Sequence, residues 1–109
     1  EEPFNSPEKL EQLYKTRDYG KWLDPNLNDV AVNFTHRCDI TGGNSGSAVM
    51  NDKGELIGLA FDGNYEAMTS DWQYDFDMQR TISVDIRYVL FLIEKYAEAD
   101  YLLKEMNLY

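Results

Sequence analysis

The sequence predicts a mainly β domain with helices at both ends, and three observations predict it. Residues 30–34, VAVNF, alternate as a strand does; residues 47–61 read as a hairpin, SAVMN, then DKG, then ELIGLAF; and from Val84 to Met106 apolar residues recur at three- and four-residue steps. With 109 residues, 43% of them hydrophobic and 14% aromatic, the chain is long and apolar enough to bury a core. The order helix, strand, glycine-rich loop, hairpin, loop, strand, helix fits one β-barrel with a helix packed on it, a single unit over 1–109.

Each element has a local reason. In SPEKLEQLYKT, Ser6 is an N-cap residue, Pro7 suits the first helical position, and Leu10, Leu13 and Tyr14 share a face, which predicts a helix near 7–16. Asp24-Pro25 and Asn26 then bring turn chemistry to an irregular stretch. In the hairpin, Gly54 is the residue that takes a positive φ at least cost. Residues 62–79, DGNYEAMTSDWQYDFDMQ, are polar and aromatic without a period, so a long loop with functional potential is expected there. RTISV follows as a strand. The terminal helix is expected at about 84–107, capped by Ser83 or Asp85, with Ile86, Val89, Leu90, Ile93, Ala97, Leu102 and Met106 on its apolar face.

Composition excludes several partner classes. Ten Lys and Arg against twenty Asp and Glu give a net charge of -10, which repels nucleic-acid phosphates and anionic membrane surfaces. No run approaches the eighteen or so apolar residues of a membrane span, and the opening EEPFNSPEKL is acidic and polar, unlike a secretory signal. One cysteine and one histidine are too few for a structural zinc site or an internal disulfide, so no metal is expected. Cys38 and His36 stand close enough for a nucleophilic pair to be weighed. Side chains two apart on a strand share a face but have no third orienting group here, and a position in a strand or loop near the site is the preferred reading.

The chemistry centers on Thr41-Gly42-Gly43-Asn44-Ser45-Gly46-Ser47, which sets a serine between glycines directly before the hairpin. A nucleophilic serine must expose its hydroxyl while neighbouring amides converge on a developing oxyanion. Glycine permits both: Gly43 can turn its amide to that point, Ser45 supplies a second donor, and the Asn44 side chain is placed to pin the loop. The same letters also describe a flexible glycine-serine turn, and context decides between the two.

That context is a resemblance. DITGGNSGSAVMNDKGELIGLAFDGNYEAM together with QRTISVDIRYVLFLIEKY resembles the C-terminal part of the bacterial dipeptidyl-peptidases of serine peptidase family forty-six, the group that includes dipeptidyl-peptidases 7 and 11, and is closer to the 7 type. The likeness runs from about Val32 to Met106. It implies half of a chymotrypsin-like double β-barrel, a periplasmic or cell-surface location in a Gram-negative bacterium, no cofactor, and release of dipeptides from peptides with a free N-terminus. It makes Ser45 the nucleophile and Gly43 with Ser45 the oxyanion donors, with the catalytic His and Asp upstream, outside this chain; the fragment alone is then expected to be inactive. Gly63 matches a position that is glycine where the substrate's second residue is hydrophobic and arginine where it is acidic. An open slot against a carboxylate-pairing side chain is the physical logic of that difference.

Asp62 is the candidate partner for the substrate's free ammonium, a reading preferred to that of an ordinary turn aspartate before glycine. Phe61 is expected to line the pocket wall, whereas Tyr65, Trp72 and Tyr74 are expected to cover core before they shape a rim. Ala48 stands where the family usually has proline after the serine loop, a change that leaves strand pairing possible. Two other function classes stay open: an acidic interaction or structural module on the same barrel, and an esterase or endopeptidase using the same serine. An exposed half-barrel edge makes a homo-oligomer the expected assembly state.

Overall fold

A computed structural model of the chain describes residues 2–3, 5–69 and 72–108, apart from the Thr69 side chain. These residues form two compact units, one of Ala31–Tyr88 and one that runs up to Val30 and resumes at Val89.

The first of these units is a four-stranded antiparallel sheet. β1 is Asn33–His36, β2 Ala48–Met50, β3 Leu56–Gly63 and β4 Thr81–Asp85, in the order β1-β4-β3-β2. The hairpin of β2 and β3 forms where the sequence places it. Gly54 turns at φ +77°, and Asn51 holds the turn by accepting at Oδ1 from the amides of Lys53 and Glu55, 3.0 Å each. The first strand begins at Asn33, three residues later than VAVNF suggests.

Register places Phe34 opposite Ser83, His36 opposite Thr81, Ala60 opposite Ser83 and Gly58 opposite Asp85, so these side chains share one face. Its β4 positions are polar. Thr81, Ser83 and Asp85 are buried, while Ile82 and Val84 on the other face are only half-buried. Burial of hydroxyls is possible because each has a partner: Thr81 Oγ1 donates to the Cys38 carbonyl at 2.5 Å, and Ser83 Oγ lies 2.7 Å from His36 Nε2. Gly58 has no alternative at its position. A Cβ there would meet the Val84 carbonyl at 2.6 Å and the Phe34 ring at 2.7 Å.

In the other unit, α1 spans Glu8–Thr16 and closes through Arg17 at φ +53°, whose amide donates to Leu13 and Tyr14 carbonyls. Pro7, not Ser6, occupies the cap position; Ser6 Oγ donates instead to Glu11 Oε1 at 2.8 Å. Tyr19 and Trp22 are buried, and Tyr19 meets Phe91 edge-on with ring centroids 5.9 Å apart.

The single helix expected at 84–107 is a correction. The chain forms α2, Ile86–Phe91, then a π-helical turn, Leu92–Tyr96, then a break with Glu98 at φ +52°, then α3, Asp100–Glu105. Asp85 does cap it, accepting from the Arg87 amide at 2.9 Å. The buried residues are Leu90, Phe91, Ala99 and Leu103. On a straight helix, at about 100° per residue, these four would spread over more than half the circumference. The break and the wide turn let all four be buried, and Ala97 and Met106, expected inside, are exposed. Among the described residues no helix is long and apolar enough to cross a membrane.

Candidate active site

Two consecutive turns build the serine loop. The Asn44 amide donates to the Thr41 carbonyl at 3.1 Å, and the Ser47 amide donates to the Asn44 carbonyl at 2.9 Å. In each turn the third residue is a glycine with positive φ, Gly43 at +99° and Gly46 at +87°, the pattern a type II turn demands. Only the fourth residue of such a turn donates inward. The amides of Gly43 and Ser45 are therefore left over by the geometry, and among the described residues neither donates to a hydrogen-bond acceptor.

The loop is pinned at both ends. Asn44 Oδ1 accepts from the Thr41 amide at 2.8 Å, and the exchange between Gly46, Ser47 and Ala60, 2.6 and 2.9 Å, fastens its far end to β3. Ser45 is exposed, and space around Gly42, Gly43 and Gly46 is open to at least 4 Å where a Cβ would point.

Downstream of that anchor, β3 carries the other candidates. A bulge between Ala60 and Asp62 precedes Gly63, and a cleft of about 220 Å³ opens between Ile40, Thr41 and Gly42 on one side and Asp62, Gly63 and Ala67 on the other. The lead into the serine loop and the end of β3 with the residues that follow it thus line one cleft, whereas Gly43 and Ser45 are not among its lining residues. Asp62 is exposed and accepts from the Gly63 amide through Oδ1 at 2.8 Å. Phe61 is 48% exposed and stands outside the cleft lining.

The stretch expected as an unpatterned loop is ordered by two amide side chains that sequence reading passed over. Asn64 Oδ1 accepts from the amides of Ala67 and Arg80, 3.1 and 2.9 Å, while its Nδ2 donates to the Met78 carbonyl at 2.8 Å. Gln79, 1% exposed, accepts at Oε1 from the Asp75 amide at 2.9 Å and donates through Nε2 to the Glu66 and Gln73 carbonyls at 3.1 and 3.2 Å. Between these clamps, Tyr65–Thr69 form a 3-10 turn. Tyr65 and Trp72 are 83% and 93% exposed, so neither covers the core of this chain. Residues 70 and 71 lie outside the described set.

His36 is engaged away from Ser45. Its Nδ1 accepts from the Cys38 amide at 3.4 Å, which leaves the proton on Nε2, facing Ser83 Oγ. Burial holds its pKa below the ordinary 6.5. Among the described residues no group of three His, Cys, Asp or Glu side chains could hold a metal ion.

The Peptidase S46 family model matches residues 1–108. The chain belongs to that family. Dipeptidyl-peptidase 7 of Capnocytophaga gingivalis is 51% identical over 105 residues, 96% of this chain and 14% of the relative; dipeptidyl-peptidase 7 of Porphyromonas endodontalis is 54% identical over 103 residues, 94% and 12%. A crystal structure of Porphyromonas endodontalis DPP11 in complex with the dipeptide Arg-Glu superposes with a TM-score of 0.91 at 42% identity, covering 98% of this chain and 16% of that one. The chain thus spans about one seventh of the length of the curated relatives it matches. Its sheet with flanking helices is the architecture of that segment of DPP11.

Proposed function

We propose that this chain is the nucleophile-bearing C-terminal barrel segment of a chymotrypsin-like, serine-type dipeptidyl-peptidase whose substrates carry a hydrophobic second residue. One observation supports this above the rest: the paired turns leave the Gly43 and Ser45 amides without partners beside an exposed serine hydroxyl.

In this reading Ser45 Oγ attacks the carbonyl carbon of the substrate's second residue. The proton passes to a histidine base, and the two amides receive the oxyanion. Collapse releases the shortened peptide as its amine and leaves the dipeptide as an ester on Ser45, which water then hydrolyses. The base and its aspartate come from the rest of the parent, because His36 is committed to Ser83 and Cys38. The chain alone is then nearly inactive.

Asp62, exposed at the cleft edge, is assigned the substrate ammonium. Gly63 offers no cationic side chain to an acidic residue, and Ile40 and Ala67 beside it are apolar, which favours a hydrophobic second residue. Within Porphyromonas endodontalis, identity also leans that way: 54% to the dipeptidyl-peptidase 7 against 46% to the Asp/Glu-specific dipeptidyl-peptidase. The parent is placed in the periplasm or on the cell surface of a Gram-negative bacterium. Pairing of copies is assigned to the sheet edges at β1 and β2.

The test is Ser45→Ala in the full-length parent, assayed on dipeptidyl substrates with hydrophobic or acidic second residues. The expected loss in kcat/KM is roughly 10³-fold or more, as for removal of a serine nucleophile. Undiminished activity overturns the assignment.

A further inference from the structure

The same cleft contains a second size restriction. A Cβ built on Gly63 points at the Cβ of Ala67, 2.9 Å away, with the next atom, the Arg80 carbonyl oxygen, at 3.6 Å. Optimal carbon contacts lie at about 3.5–4.0 Å, so the first carbon of any side chain at 63 arrives roughly 0.6 Å or more too close. The obstacle is rigid. Ala67 Cβ is fixed to backbone, and that backbone is fastened on both sides: the Ala67 amide donates to the Asn64 carbonyl and to Asn64 Oδ1, 3.0 and 3.1 Å, and the Glu66 carbonyl is held by the buried Gln79 at 3.1 Å. Asn64 in turn is locked to Arg80 and Met78 on the lead into β4. Moving Ala67 away would break several of these bonds together.

We infer that residue 67 is a second determinant of the second-residue preference: it decides whether residue 63 can carry a side chain into the cleft at all. This rests on the peptidase reading above and deepens it. With alanine at 67, glycine at 63 is obligatory and the slot stays open and uncharged. With glycine at 67, a long cationic side chain at 63 has room to leave the backbone and reach a substrate carboxylate. The pair 63 and 67 is therefore one steric unit, and exchange of one member alone damages the cleft without converting it.

The experiment is a double-mutant cycle in the full-length parent: wild type, G63R, A67G and G63R/A67G. Each is assayed for kcat and KM on two dipeptidyl coumarylamides, one with Leu and one with Asp as second residue. G63R alone should lose the Leu substrate and gain little on Asp; adding A67G should raise Asp-substrate kcat/KM by a further factor of about ten, mostly through KM, as expected for directly contacting positions. A change confined to folding would move both substrates in parallel. If G63R alone already gives the full acidic preference and A67G adds nothing, the inference is overturned. Thermal unfolding of G63A and G63A/A67G supplies an arm that needs no activity: recovery of the melting temperature in the double variant, relative to A67G alone, supports the steric unit, and no recovery overturns it. Loss of the peptidase reading shows separately, as S45A matching wild type.

Discussion

The serine loop, through Ile40, Thr41 and Gly42, and the stretch from the end of β3 toward β4, through Asp62, Gly63 and Ala67, line one cleft, yet they are ordered by opposite means. Ile40–Ser47 is built chiefly from backbone: two successive turns and two glycines at positive φ, with the Asn44 side chain accepting from the Thr41 amide. Residues 62–80 are built from side chains reaching backbone over long distances, Asn64 to Met78 and Gln79 to Glu66. A backbone-built loop aims amides outward, which suits a site that must stabilise charge on a substrate. A loop clamped by side chains presents a wall of fixed shape, which suits selection by size. In the proposed peptidase, chemistry and selection would thus be separable, and substitutions should separate them.

The largest separation is expected at Gly43. Nothing lies within 4 Å of an added Cβ, so Gly43→Ala introduces no clash and acts only through its φ of +99°. The loop should relax by turning the 43 amide away, and in the parent kcat/KM should fall by about 10²-fold, the effect of losing one oxyanion donor. Hydrogen exchange across 62–80 should stay unchanged. Full activity in this variant would remove Gly43 from the oxyanion site and break the comparison.

Gln79→Leu should do the reverse. It strands the Asp75 amide and the Glu66 and Gln73 carbonyls around a residue 1% exposed. The expected destabilisation is about 2–4 kcal/mol, with unsatisfied buried groups as the cause. Exchange protection over 64–79 should fall and KM for the hydrophobic substrate rise, with kcat changing least. If exchange there is unaffected, the wall does not depend on Gln79.

How much of this could be read in advance follows from range. The hairpin, the turn at Gly54 and the Asp85 cap rest on neighbours one to four residues apart, and the serine loop rests on glycine spacing; all are written locally. The clamps from Asn64 and Gln79 include links 13, 14 and 16 residues apart, with no period to reveal them. The same holds for β4. Ile82 and Val84 suggest an apolar inner face, but Thr81, Ser83 and Asp85 are the buried residues, because partners on β1, beyond it at Cys38 and in α2 satisfy them. The broken terminal helix escaped for another reason: Ala97-Glu98-Ala99 are ordinary helix formers, and the demand to bury both Leu90 and Leu103 overrides their propensity.

The smallest expected effect belongs to His36, another group of the side-chain-built kind. Neutral, it accepts from Cys38 and faces Ser83; protonated, its Nδ1 hydrogen would oppose the Cys38 amide hydrogen. Burial already lowers its pKa from 6.5. A group whose folded pKa lies below its unfolded value contributes stability above the unfolded pKa, so the contribution is complete above about pH 6.5 and fades as pH falls below it. Corrected exchange protection at 33–38 and 81–84 in the parent should therefore weaken as pH drops through that window, and His36→Gln should flatten the dependence. Because the proposed mechanism takes the base for Ser45 from the rest of the parent, the same variant should keep dipeptidyl activity within about threefold, far from the loss that removal of a general base brings. A collapse of activity in His36→Gln with exchange intact would join β1 to the chemistry and dissolve the division between the two regions.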